Sequence, residues 1–304
     1  MVTIRKLLQN RDFILFLSLF LGLIWGKAAY FTKDFTLIVL AVIMTISTMT
    51  ISSNIFLSPR VIFKNALVGI LMNYVVLGGI ILALNSLLIH EKEFWTGFII
   101  IIVVPPAVAV IPFTTALEGN INFSLGSTIG TYLAALVITP LISIWLLGTR
   151  FIHPGKLFII LVELILIPLI FSRILRWIKL AEHLEPVKGV IINWGFFVIV
   201  YTVVGLNRKV FLTQPLLIVE VAAISFASTF LLGLVIESIG KIFKIDSKTV
   251  TSIVLLGTLK NYGLAAGLSL TLFTERTAIP ATVSAVFLII FIIWLSFKKR
   301  VFNF

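Results

Sequence analysis

Lys260 lies in the middle of an apolar stretch rich in small residues, Thr249 to Phe273. A cation among hydrocarbon is costly, and ionisable side chains in such places usually face a polar cavity and mark a substrate or ion path. The chemistry it suggests is the binding and movement of a solute. A second signal comes from two stretches that resist regular helix. Val103 to Pro112 places Pro105, Pro106 and Pro112 in one apolar run, and each proline removes a backbone donor and crowds the preceding turn. Gly257-Thr258-Leu259-Lys260-Asn261-Tyr262-Gly263 sets two glycines around the lysine. Helices broken in mid-membrane offer free N–H groups and a positive dipole end to a ligand. Glu163 and Glu220 also stand inside apolar runs. Each could pair with Lys260, receive a proton or face another helix's hydroxyls, and a structural or proton-linked role suits them better than direct substrate contact.

Other chemistries find little here. The chain has no cysteine, so disulfides, thiolate metal sites and cysteine nucleophiles are excluded. His90, His153 and His183 are predicted in loops, which argues against a histidine metal cluster or proton relay. No Ser-His, paired-Asp or His-Glu set is embedded in an apolar run, so an intramembrane hydrolase is not expected, nor is a cofactor or bound metal. A channel would need a continuous polar stripe or a selectivity loop, whereas the polar residues gather around the two breaks. A sensor would usually add a soluble output domain. A carrier is the reading left, with a channel-like facilitator its nearest rival.

The elements that must hold these residues are membrane helices. Of 304 residues 60% are hydrophobic and 12% charged, and the mean hydropathy is +1.18, far from the composition of a soluble domain. Uncharged runs extend over Phe35–Pro59, Asn65–Ile89, Phe94–Leu117, Ile121–Thr149, Gly189–Asn207 and Thr277–Phe297. Each can cross an apolar layer about 30 Å thick, which takes about 20 helical residues. Four more spans are short or carry a charge: Phe13–Ala28, Leu157–Arg176, Pro215–Gly240 and the Lys260 segment. Phe13–Gly26 resembles a signal peptide core, but Lys27 and Tyr30 replace a small-residue cleavage site, so it is read as the first helix.

The prediction is an all-α polytopic membrane protein of ten helices forming one domain, 1–304. It divides at the basic loop Arg150–Lys156 into halves of about 11–149 and 154–298. Five helices per half force the second to insert upside down, the inverted repeat common among secondary transporters, with the fourth and ninth helices broken and crossing near the midplane. If the N-terminus is cytoplasmic, fifteen basic residues fall on that side and eight on the other, which places both termini in the cytoplasm of a plasma membrane. The net charge of +12 is spread over loops and so points to anionic lipid headgroups, not nucleic acid. It names no protein partner.

At these residues the chain resembles the bile acid:sodium symporter family, over nearly its whole length. The similarity rests on Met44-Thr45-Ile46-Ser47-Thr48-Met49-Thr50, on Asn73-Tyr74-Val75-Val76-Leu77, and on Leu117-Glu118-Gly119-Asn120-Ile121-Asn122-Phe123-Ser124 with Pro140. It continues in Leu166-Ile167-Pro168-Leu169-Ile170 with Arg173, and in Lys260-Asn261-Tyr262-Gly263-Leu264-Ala265 with Phe273 and Ile279-Pro280-Ala281. The resemblance implies two sodium ions at the helix crossing, held by a Ser-Asn pair, a Glu, a Gln and Ser/Thr hydroxyls. The departures are informative. The Ser-Asn pair falls on Val110 and Ile111, the Glu on Leu256 and the Gln on Lys260, while Ser124 and Thr128 keep hydroxyls and Asn73 replaces a second Gln. Thr114 and Gly257 complete the expected crossing. Hard cations need several oxygen ligands, and the charged one is missing.

Sodium-independent transport follows as the expectation, with Lys260 as the stand-in ion bonded to freed carbonyls or to Asn73. One reading lets Lys260 take up and release a proton to drive the cycle; the other keeps it charged in a uniporter or exchanger. A sodium symporter with altered ligands is the alternative. The solute expected is a small organic molecule, anionic for preference. Arsenite, carried in the wider superfamily, is disfavoured by the missing cysteine.

Overall fold

The computed structural model describes residues 8–49, 59–148 and 154–302. Among them the chain is helical, with one isolated bridge between Pro106 and Lys260 and no strand. α1 (Arg11–Ile24) starts at Asn10, whose side chain accepts from the Phe13 amide. A 3-10 turn, Gly26–Ala28, leads into α2 (Ala29–Thr48). α3 (Pro59–Ile70) continues through a π-helical stretch, Leu71–Leu77, into α4 (Gly78–Leu88). α5 (Lys92–Val103) and α6 (Val110–Ala116) are two pieces of one interrupted helix, followed by α7 (Ile121–Leu147).

α8 (Pro154–Leu161) and α9 (Ile167–Trp177) join through a second π-helical stretch, Val162–Leu166. α10 (Leu180–Leu184), α11 (Lys188–Leu206) and α12 (Arg208–Thr213) follow. A third π-helical stretch, Ala227–Leu231, connects α13 (Pro215–Phe226) with α14 (Leu232–Ile242). The second interrupted helix is α15 (Ser247–Thr258) with α16 (Tyr262–Leu272), and α17 (Ile279–Phe302) ends the described chain.

Among the described residues, seven helical stretches are long and apolar enough to cross a membrane: Gly26–Thr48, Ile62–Leu88, Ile121–Leu147, Phe158–Trp177, Lys188–Leu206, Pro215–Ile242 and Arg276–Lys299. Phe13–Ile24 and Tyr262–Leu272 are apolar but shorter. The second span begins at Ala29 instead of Phe35, because Lys33 does not stop the helix: its ammonium reaches Glu275 at 2.6 Å. Residues 50–58 of that span and 150–153 of the basic loop fall outside the described residues, whereas Pro59 starts α3 and the loop's expected end, Pro154 to Lys156, already belongs to α8. His183 lies in α10, not in a loop.

Packing separates the helices into two groups. α11 lies against α1 and α2, and α9 against α2. Small residues let these backbones approach: a Cβ on Gly26 would lie 2.6 Å from the Gly205 carbonyl oxygen, the close contact that drives association where apolar burial cannot. The other group surrounds α5, whose residues from Phe94 to Val103 are buried almost without exception by α4, α7, α16 and α17. Here Gly130 of α7 faces Ala66 of α3, and a Cβ at Gly130 would come within 2.2 Å of the Ala66 Cβ. Both interruptions lie in this second group.

Candidate functional site

The two interruptions meet. Val104 leaves α5 with φ −75° and ψ 151°, the extended conformation that a following proline imposes. Leu259 leaves α15 at φ −111° and ψ 108°. The extended segments run antiparallel: the Ala107 amide donates to the Leu259 carbonyl at 3.1 Å and the Asn261 amide to the Pro105 carbonyl at 3.0 Å. Asn261 then starts α16, its Oδ1 accepting from the Leu264 amide at 3.0 Å. Its side-chain amide donates to the Tyr132 hydroxyl at 2.9 Å and approaches the Met44 sulfur at 3.4 Å.

Breaking α5 strips its last carbonyls of their helical partners, and side chains take them up. Thr139 donates to the Val103 carbonyl at 2.6 Å. Lys260 Nζ donates to the carbonyls of Ile102 at 2.7 Å and Val104 at 2.9 Å, and to Asn73 Oδ1 at 2.7 Å. The lysine is fully buried and its ammonium lies 4.6 Å from the centre of the Tyr74 ring, within the range of a cation–π contact. Three acceptors match the three N–H groups of an ammonium. A neutral amine would turn a lone pair toward one of those oxygens. In its charged form the lysine would also cap the negative end of the α5 dipole. Asn73 reaches it from the first π-helical stretch, a wider turn that often marks functional positions.

The other expected ligand positions are filled with carbon. Val110 and Leu256 are wholly buried and Ile111 nearly so, Ile111 packing with Ile129, Leu125 and Leu169. Thr114 and Ser124 share a hydrogen bond of 2.8 Å, and Thr114 also donates to the Val110 carbonyl at 2.7 Å. The Thr128 hydroxyl is buried with no partner among the described residues. Sodium prefers several oxygens, one or more charged, and this set offers two neutral hydroxyls bonded to each other and the single hydroxyl of Thr128. At the second position a sodium ion 4 Å from the ammonium would be repelled by about 4 kcal/mol even at an effective dielectric constant of about 20.

Not every expected residue joins the crossing. Gly257 lies inside α15 and serves packing, since a Cβ there would meet Met72 Cε and Ile236 Cδ1 at 2.7 Å. Pro112 sits in the first turn of α6, where its missing N–H costs nothing, so Pro105 and Pro106 make the break. Glu163 is exposed in the second π-helical stretch and Glu220 is half-buried in α13; the three donors of Lys260 go to other groups. Tyr132, Tyr74 and Thr139 are additions from the structure. Their signal was faint: polar groups in helices predicted to flank the break.

Comparison with known proteins identifies the family. The model of the SBF-like CPA transporter family matches residues 13–298. The chain is 28% identical over 227 residues to the uncharacterized sodium-dependent transporter YocS of Bacillus subtilis (strain 168), an alignment covering 72% of this chain and 68% of that protein. With apolar helices throughout and a family match over most of its length, this multi-pass membrane protein belongs to the SBF-like CPA transporter family.

Proposed function

We propose that this transporter is a secondary carrier in which the Lys260 ammonium takes the place of bound sodium, so that a small organic solute crosses by alternating access without sodium. The observation that carries the reading is the set of three bonds from Lys260 Nζ to Asn73 and to the Ile102 and Val104 carbonyls. A coupling ion in such a position would hold α5 against the second break, and here a side chain does so permanently. Its hydrogen-bond partners are neutral, so the positive charge is not balanced by them, and an anionic solute gains from that field.

The architecture we propose is ten crossings in two inverted five-helix halves. The seven long spans, the short α1 and the two interrupted helices make up that number. The interruptions fall in the fourth helix of each half and π-helical stretches in the third of each, Leu71–Leu77 and Ala227–Leu231, a correspondence that supports the repeat. Both termini are placed in the cytoplasm of a plasma membrane, with the basic excess facing anionic headgroups.

The test is uptake into proteoliposomes of labelled small carboxylates and sulfonates, with potassium replacing sodium. Saturable uptake, accelerated by the same solute inside and equal in the two salts, is expected. Sodium-stimulated uptake overturns the sodium-independent reading, uptake that follows an imposed pH gradient replaces permanent charge with proton coupling, and non-saturating flux without counterflow makes the protein a channel.

A further inference from the structure

The end of the bundle where α2 and α17 begin carries a group of charges that the Lys260 site does not use. Glu275 and Arg276 are neighbours in sequence, between α16 and α17, yet they bind to different groups of helices. Arg276 reaches back to the start of α5, to Glu91 at 2.6 Å and Glu93 at 3.0 Å, and donates to Gln214 at 3.2 Å. Thr274 also bonds Glu93, at 2.5 Å. This segment is therefore fixed to the helix group that contains both breaks. Glu275 points across to the other group: its carboxylate takes the Lys33 ammonium of α2 at 2.6 Å, and its carbonyl accepts from Asn207, just after α11, at 2.9 Å. Asn207 in turn bonds the Val203 carbonyl of α11 at 2.8 Å. The ion pair is 38% exposed on each side, open to water and able to exchange partners.

We propose that Lys33 and Glu275 form a clasp between the two helix groups, which keeps this end closed and whose release opens a path between α2 and α16 toward the crossing. For its consequence the proposal rests on the carrier reading; the clasp itself is tested with neither sodium nor solute. Two turns along α2 from Lys33, Leu40 is wholly buried and seals the seam: a Cβ on Gly267 of α16 would meet Leu40 Cδ2 at 2.8 Å. Opening must uncover it.

The chain has no cysteine, so Leu40→Cys provides a single thiol. The measurement is its labelling rate with a membrane-impermeant maleimide in proteoliposomes, with melting temperature followed alongside to confirm folding. In the parent variant labelling is slow. Lys33→Gln or Glu275→Gln speeds it by about threefold or more, the size a half-exposed ion pair supports, and 1 M potassium chloride does the same to the parent by screening. Exchanging the charges, Lys33→Glu with Glu275→Lys, restores slow labelling. If either neutral variant keeps its melting temperature and labels no faster, the clasp is refuted. It is refuted equally if the charge exchange labels as fast as the single variants, because restoring an ion pair of reversed polarity must restore the closure. Sodium dependence of uptake with an intact clasp would overturn the Lys260 reading alone.

Discussion

At the scale of the residue, Lys260 is the chemical centre, and its removal should be felt as unpaired oxygen. Lys260→Met keeps the length and loses the donors, leaving Asn73 Oδ1 and two carbonyls buried without partners. At about 1–3 kcal/mol for each orphaned group, the expected loss is about 3 kcal/mol or more, read as a lower midpoint in thermal or denaturant unfolding in detergent. Thr128→Val should have the opposite character. The Thr128 hydroxyl is already buried without a partner among the described residues, so an isosteric methyl leaves stability within about 1 kcal/mol of the parent or raises it. Sequence showed Lys260 because a cation in an apolar run has few explanations, and it offered Asn73 and freed carbonyls as partners. It could not single out Ile102 and Val104, since a carbonyl's availability depends on where the helix stops and not on the side chain it carries.

At the scale of the element, close helix contacts make the sharpest predictions. Gly130→Val should destabilise the protein by about 1–3 kcal/mol, because its first added carbon would overlap Ala66 and α3 would have to move outward; a lower melting temperature and poorer expression are the readout. The breaks were legible because prolines and glycines act on the backbone whatever surrounds them. Pro105 forces Val104 extended, and Leu259 follows because its carbonyl is the partner of Ala107. The π-helical stretches were not legible: one extra residue in a wide turn leaves an apolar run looking as apolar as before. The start of α2 was misplaced for a related reason. Lys33 is tolerated within the helix through Glu275, 242 positions away in sequence, and no local pattern announces that pairing.

At the scale of the whole molecule, two helix groups meet beside a crossing where a buried lysine bonds three oxygens. The all-helical membrane class was plain from composition together with uncharged runs of about 20 residues, since no soluble chain of this length needs so much apolar surface. Conversion of the crossing toward sodium should require the whole ligand set. Lys260→Gln alone should give no sodium response, whereas Lys260→Gln combined with Leu256→Glu, Val110→Ser and Ile111→Asn should give one. At a sodium concentration about one hundred times the dissociation constant, such a site would add about 2.7 kcal/mol to stability, visible as a sodium-specific rise in melting temperature. The most direct measurement is that same comparison on the unaltered protein: melting temperature in sodium against potassium at equal ionic strength, from pH 5 to 9. The resident cation predicts identical curves in the two salts at every pH. A rise specific to sodium would contradict it and make the protein a sodium-binding carrier.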